Sequence, residues 1–278
     1  MHGKLYIIYN MPKITIIYRV CDSVDMLHTV ASEPFHETNR NSARFYDVPK
    51  PYLIRKCLLS IRDAIEQAVS DKKNEKGIVV EFICVHDNCS IETLNFIREV
   101  IPDVKMVESN GHGNKKSFMT CAEIAKNIID DETIVFFLED DYSFLTKNGL
   151  SKAIGILEII KYRTGEKCAL FLDDYPDKYD EKGFRKNTNI MVTPYGHIMT
   201  VDSCTFSFMT YSSVIKENYD KIIGGKDEQN LVESESINKI WETVPLYCPI
   251  PALTLHCQLK VHIPEYFDAN NIKEIIET

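Results

Sequence analysis

The order of apolar and polar runs predicts an α/β domain: a mostly parallel sheet flanked by helices, with an antiparallel C-terminal elaboration. Three observations predict it. Short β-branched runs recur at Ile14–Val20, Ile78–Val85 and Thr133–Leu138, each the length of a buried strand. Between them lie segments whose apolar residues return at helical spacing. After residue 175 that alternation gives way to shorter extended runs broken by proline and glycine.

Ile14–Val20 is the first strand. Residues 21–50 have no clear period and carry Pro34 and Pro49, so they read as a long loop of the kind that is often functional. Ile54, Cys57, Leu58, Ile61, Ile65 and Ala68 then define an amphipathic helix over Pro51–Val69, with proline in its first turn. Ile78–Val85 is a strand, Ser90 the N-cap of a helix through Val100, and Val104–Val107 a short strand. Ser117–Ile129 is helical. Thr133–Leu138 is apolar throughout and must be covered on both faces. A helix over Leu150–Lys161 and a strand over Cys168–Leu172 continue the alternation, which marks a parallel sheet. Tyr175–Asn189 is polar and reads as a loop. Ile190–Thr193 and Gly196–Val201 form a hairpin, helices cover Ser212–Tyr219 and Glu233–Trp241, and Leu246–Leu255 is extended around Pro249 and Pro251.

Composition narrows the function classes. The 278 residues suffice for a sizeable core, and no apolar run approaches the ~20 residues of a membrane-spanning helix. A net charge of -9 lowers the expectation of a nucleic-acid binder, which would usually be basic. Nine cysteines without a CxxC pair, such as Cys84 and Cys168 inside apolar runs, argue against a zinc cluster or disulfide framework and fit a cytoplasmic setting. Met11 opens a second start, so residues 1–10 read as an N-terminal extension and residues 11–278 as one domain.

The sharpest chemical feature is Leu138-Glu139-Asp140-Asp141-Tyr142, directly after the most apolar strand. Ligands of open parallel sheets collect beyond the carboxyl ends of strands. Adjacent carboxylates there repel one another unless a cation or hydrogen-bond donors compensate, and hard divalent cations bind through one or two carboxylates plus substrate phosphates. A solvated acidic turn is the plainer alternative. Ser109-Asn110-Gly111-His112-Gly113-Asn114 lets the backbone approach a ligand closely before a helix N-terminus that favours anions. His86-Asp87-Asn88-Cys89-Ser90 offers an Asp to a nucleobase or ribose, or simply a turn and a cap. His256, approached through Pro249 and Pro251, is either a core histidine or an imidazole delivered to a site built elsewhere; with carboxylates it would favour Mn²⁺ over Mg²⁺. Arg40, Arg44, Lys50, Arg55, Lys56 and Arg62 face one acid, Asp47, and read as the wet face of a helix or a grip on a diphosphate or anionic acceptor.

Taken as an ordered set, ITIIYRV, VHDNCS, SNGHGNKKSF, FFLEDDY, LDDYPDKYD, HIMTVDSCTFSFMT and PIPALTLHC resemble a GT-A-fold, family-2-like nucleotide-diphospho-sugar glycosyltransferase of a bacterial and viral branch, over residues 12–262. The resemblance implies a nucleotide-binding part over about 11–142 and an acceptor part over about 143–265. It implies that Asp87 contacts the nucleoside, that Asp141 binds Mn²⁺ or Mg²⁺, that Glu139 lies near the donor, and that His256 is a C-terminal metal or diphosphate contact. Arg19, Asn110, Gly113 and Asp140 join the expected donor site. The triplet is Glu-Asp-Asp rather than Asp-x-Asp, and no Gln-x-x-Arg-Trp signature of a processive synthase is present.

An inverting enzyme of this kind also needs a carboxylate base on the acceptor hydroxyl. The candidates are Glu233 and Glu235, which otherwise complement a helix dipole, and Asp174 beside Asp173 at a strand end. The expected partners are a nucleotide-diphosphate sugar and a hydroxyl acceptor, a glycan or, against the net charge, a modified base in DNA. A sugar nucleotidyltransferase is the enzymatic rival; Tyr18-Arg19-Val20-Cys21-Asp22 lacks the glycines of its phosphate loop. A non-catalytic glycan- or partner-binding module is the third reading, opposed by the acids at Asp87, Glu139 and Asp141.

Overall fold

The computed structural model describes residues 12–22, 49–71, 77–111, 113–179, 188–224, 232–257, 263–264 and 266–267. The expected extension 1–10, most of the loop over 21–50 and most of the loop after Lys178 lie outside these residues.

β1 (Lys13–Val20) pairs in parallel with β2 (Val79–His86) on one side and with β4 (Ile134–Glu139) on the other. β3 (Lys105–Glu108) extends the parallel set beyond β2. The full order is β3-β2-β1-β4-β9-β6-β10-β8-β7, with β6 (Ala169–Leu170), β7 (Ile190–Thr193), β8 (Gly196–Val201), β9 (Phe208–Tyr211) and β10 (Leu246–Ile250) forming the mixed half. β9 runs antiparallel to both β4 and β6, and β8 antiparallel to both β7 and β10. The expected architecture, parallel at the centre with an antiparallel C-terminal part, is thus what the chain adopts.

The helices are α1 (Lys50–Ser70), α2 (Ile91–Val100), α3 (Asn114–Lys126), α4 (Gly149–Thr164), α5 (Ser212–Glu217) and α6 (Tyr219–Ile223). α1 buries Ile54, Leu58, Ile61, Ala64 and Ala68 in the main core, which continues through Phe118, Phe136, Phe137 and Phe208. Burying a Leu or Ile side chain contributes about 1.5–3 kcal/mol, so Ile54, Leu58 and Ile61 suffice to dock α1. Ser90 caps α2, its hydroxyl accepting from the Thr93 amide at 3.2 Å.

Several boundaries differ from expectation. α3 begins at Asn114 rather than Ser117, because Gly113 takes φ +94° and turns the chain into the helix early. The helix expected over Ser212–Tyr219 breaks at Asn218, whose side-chain amide turns back to the Val214 carbonyl at 3.0 Å. No α-helix covers Glu233–Trp241. Two 3₁₀ turns, Glu233–Glu235 and Ile237–Lys239, stand there, divided by Ser236 at φ -127° and ψ -103°. Ser236 is fully buried and spends its hydroxyl on the Val232 carbonyl, which competes with a continuous helix. Two strands were not foreseen: β9, and β5 (Tyr142–Phe144), which pairs antiparallel with β11 (Thr254–His256) as a separate ribbon. Among the described residues no helix is long and apolar enough to cross a membrane.

Candidate active site at the β1–β4 switch

From β1 the chain builds β2 and β3 on one side, then returns to place β4 on the other. The carboxyl ends of β1 and β4 therefore open a crevice at the point where strand order reverses. Arg19 and Glu139 are register partners there, and their side chains form a half-buried ion pair. The Arg19 guanidinium also donates to the Asn114 side chain and, at 3.0 Å, to the Asn114 carbonyl, tying β1 to the start of α3. The Glu139 backbone amide donates to Ser207 Oγ at 3.0 Å.

Each remaining acid of the triplet has its own partner. Asp140 accepts from the Cys21 amide at 2.9 Å and pairs with Lys50 at 3.2 Å. Burial pushes the Asp140 carboxyl up, against the pull of Lys50. The Lys50 ammonium, itself disfavoured by burial, is held charged by Asp140. Asp141 Oδ2 lies 3.3 Å from His256 Nε2. Burial opposes ionisation of Asp141, and the imidazole overcomes it and holds the carboxyl below its usual range. Burial likewise opposes the imidazolium, and Asp141 raises it above the ordinary histidine value. Asp141 Oδ1 is buried with no hydrogen-bond partner among the described residues.

His256 arrives because β5 follows the triplet directly and β11 pairs with it, setting His256 opposite Tyr142. The two rings stack 4.4 Å apart at 13°. Tyr175 Oη shares a 2.5 Å hydrogen bond with His256 Nδ1, and Tyr142 Oη hydrogen-bonds to Tyr175 Oη at 3.1 Å and Thr205 Oγ1 at 2.7 Å. The imidazole is thus contacted at both nitrogens by protein groups, and it orients Asp141.

The other loops are stitched to the same edge. Asp22 accepts from the Ser90 amide at 3.0 Å, joining the ends of β1 and β2. Asp87 is buried and accepts from the Gly113 amide at 2.7 Å, fixing the loop before α3. Gly111 and Gly113 both have positive φ, +95° and +94°, so glycine serves the turn there. Asn110 is exposed, and its amide donates to Thr120 Oγ1 at 3.1 Å.

The three base candidates separate. Asp174 is fully buried and committed to Tyr179 Oη at 2.6 Å and Tyr266 Oη at 2.9 Å. Glu235 is exposed on the far side of its turn. Glu233 is half-buried and lines a pocket of about 360 Å³ together with Phe171, Tyr175, Lys178, Ser203 and Thr205. Burial raises its carboxyl, and Glu139 reinforces that while Arg19 and His256 oppose it. Tyr175, which lines the pocket, hydrogen-bonds to His256 and so sets the pocket beside the acidic cluster.

Sequence reasoning missed Tyr142 and Tyr175 as the frame of His256, Lys50 as the counter-ion of Asp140, and Lys178. Lys50 carried a signal, a lysine at the entry of a helix after a long loop. Tyr175 carried none, because its hydrogen-bond partners Tyr142 and His256 come from two other segments.

Among the described residues no three His, Cys, Asp or Glu side chains converge to hold a metal. Asp141 Oδ1 is the oxygen that would hold a hard cation, with substrate and water supplying its other ligands.

No family model matches the chain, and no curated protein matches it. Solved structures do. The chain is similar to a fragment, residues 1–349, of TarS from S. aureus at 13% identity and TM-score 0.45, covering 86% of this chain and 60% of that one. It is similar to 4-diphosphocytidyl-2C-methyl-D-erythritol synthase from Anaerococcus prevotii at 11% identity and TM-score 0.44, with 96% of both chains covered. It is also similar to a mannosyltransferase from Pyrobaculum calidifontis in complex with GDP-Man and Mn²⁺, at 14% identity and TM-score 0.48, covering 92% of this chain and 58% of that one. The chain spans about 60% of the length of the TarS fragment. The likeness is confined to the path of the chain.

Proposed function

We propose that the protein transfers a sugar from a nucleotide-diphosphate donor to an acceptor hydroxyl, with Mn²⁺ or Mg²⁺ held at Asp141. One observation carries this reading: at the β1–β4 switch, Asp141 is half-buried, kept ionised by His256, and has one buried oxygen without a hydrogen-bond partner among the described residues. A carboxylate oxygen that forgoes hydrogen bonding inside a protein is costly unless it serves a ligand. When bound, the cation would neutralise the departing diphosphate.

The rest of the chemistry belongs to the chain. Asp87, oriented by the Gly113 amide, stands at the end of β2, where a nucleoside would lie. The start of α3 and Arg19 offer positive charge to the diphosphate. Glu233 is the base: as the acceptor oxygen bonds to the anomeric carbon, Glu233 takes the hydroxyl proton. The bond from that carbon to the β-phosphate oxygen breaks, and the nucleoside diphosphate leaves with the electron pair. A raised carboxyl pKa suits a group that must accept a proton near neutrality. His256 and Tyr175 position Asp141.

The test is a Mn²⁺ titration against a panel of nucleotide sugars, following thermal stability and release of nucleoside diphosphate. Asp141→Asn is expected to abolish metal-dependent donor hydrolysis, by at least about 100-fold, with an unchanged circular dichroism spectrum. Unchanged hydrolysis in Asp141→Asn would remove the metal from Asp141. Formation of nucleotide sugar and pyrophosphate from a nucleoside triphosphate and a sugar 1-phosphate would make the enzyme a nucleotidyltransferase instead.

A further inference from the structure

The pocket beside the acidic crevice contains a cation that the transfer chemistry does not use. Lys178 follows Pro176 and Asp177 in a 3₁₀ turn, and its side chain is only 10% exposed. The ammonium donates to Ser203 Oγ at 2.7 Å. Its acidic neighbour Asp177 lies at 3.5 Å but is 65% exposed, so that pairing is screened by water. An ammonium has three donors, and these are its two partners among the described residues. Holding a lysine this deep beside a rim carboxylate is unfavourable unless a better anion completes it. Phe171 and Tyr175 line the same pocket, with Thr205 and Glu233 as polar points. That is the composition of a small-molecule site: an apolar body with a few placed polar groups.

Resting on the transferase reading of the crevice, we propose that this pocket is the acceptor subsite and that its occupant is anionic: a hydroxyl acceptor bearing a carboxylate or a phosphate, which Lys178 binds while Glu233 faces the reacting hydroxyl. Lys178 and Glu233 come from different segments and line one pocket, so an acceptor with an acid group and a free hydroxyl spans them. A purely neutral acceptor is the poorer fit, because it would leave the buried ammonium with only the water-screened Asp177 as counter-charge. Ser203 orients the ammonium toward the occupant.

Direct binding to the full-length protein tests this without turnover. Calorimetry with p-nitrophenyl β-D-glucuronide, glucose 6-phosphate and p-nitrophenyl β-D-glucoside at constant salt compares a carboxylate, a phosphate and a neutral ligand. At least one anionic ligand is expected to bind about tenfold or more tighter than the neutral glucoside. The tighter of the two names the acid group. Lys178→Met should remove that preference, and Lys178→Arg should keep most of it. Should Lys178→Met fail to fold, Ser203→Ala, which frees the ammonium from its guide, should reduce the preference. Equal binding of glucuronide, phosphate and glucoside by the wild type, no binding of either anion, or a preference that survives Lys178→Met would overturn the subsite. Donor hydrolysis by the wild type is scored separately. Hydrolysis without charge preference in the pocket sinks the anionic subsite alone. Charge-selective binding without turnover of any nucleotide sugar sinks the transferase reading and leaves the subsite standing.

Discussion

Two acidic strand ends lie in this molecule, Glu139-Asp140-Asp141 after β4 and Asp173-Asp174 beyond β6, and they are neutralised in opposite ways. In the first, every carboxylate has a basic partner: Arg19, Lys50 and His256. In the second, the side-chain partners are hydroxyls and a thiol. Asp173 Oδ1 accepts from Thr254 at 2.6 Å, and its Oδ2 is buried without a hydrogen-bond partner among the described residues. Asp174 is held by two phenols and approached by the Cys248 thiol. Burial therefore wins in the second pair, and Asp173 is pushed up to about 7. Similar residues at similar places are paired with cations in one case and with neutral groups in the other. Long basic side chains from α1, β1 and β11 reach only the first.

Cutting one charge from the first cluster should have the largest effect. Lys50→Met leaves Asp140, whose side chain is 7% exposed, with the Cys21 amide as its remaining donor. Breaking a buried pair by removing one partner costs about 3–5 kcal/mol, and a loss of about that size is expected at pH 7 by urea denaturation. Lys50→Met/Asp140→Asn should recover most of it, because no uncompensated charge is then left. A Lys50→Met variant within about 0.5 kcal/mol of wild type would mean that the first cluster does not depend on its cations.

Asp173→Asn sharpens the other side. The folded-state value near 7 lies above the ~3.9 of an unfolded chain. Below about pH 4 both states are protonated, and no stability difference arises. As pH rises past that value the unfolded state ionises first, so this residue's contribution falls until pH passes about 7 and is constant beyond. Asparagine keeps the acceptor for Thr254 and cannot ionise. The variant should match wild type at pH 4 and exceed its stability by about 2–4 kcal/mol at pH 8. A difference that does not change with pH would show Asp173 ionised like its counterparts after β4.

The contrast also explains what could be read from the sequence. The parallel half was legible because its strands are uniform apolar runs and its helices have a clear period, so β1, β2, β4 and α1 fall within a residue or two of expectation. FFLEDDY announced the crevice because acids after a buried strand are conspicuous. The partners of those acids were not legible. Lys50 lies 90 positions before Asp140, and His256 reaches Asp141 only through the β5–β11 ribbon, a three-residue pairing with no pattern of its own. The separation of Glu233 from Asp174 and Glu235 was equally hidden. It depends on Ser236 dividing a segment whose composition suits a helix, which leaves Glu233 on the pocket and Glu235 in solvent. A local side-chain hydrogen bond outweighed helix propensity there.

The smallest expected effect concerns how hydroxyls support the second pair. Tyr179 Oη donates to Asp174 Oδ1 at 2.6 Å, and Tyr266 Oη, which accepts from the Ala252 amide, donates to Oδ2 at 2.9 Å. Burial raises the Asp174 carboxyl, and the phenols partly oppose that by solvating the ionised form. Tyr179→Phe removes one donor and no bulk. A protonated carboxyl loses little by this, because it can satisfy itself with its own proton, whereas the carboxylate loses a charge-assisted hydrogen bond. With the folded-state value raised, Asp174 is protonated in both states at low pH, and its ionisation penalty in the folded state grows as pH rises through that value. Removing the phenol raises the value further, so the cost of the substitution must appear on the alkaline side. Tyr179→Phe should be near neutral at pH 4 and destabilise by about 1 kcal/mol at pH 8. Urea unfolding at the two pH values decides it. A cost that is the same at both, or larger in acid, would show that the phenol packs against Asp174 without solvating its charge, and the second pair would then owe nothing to its hydroxyls.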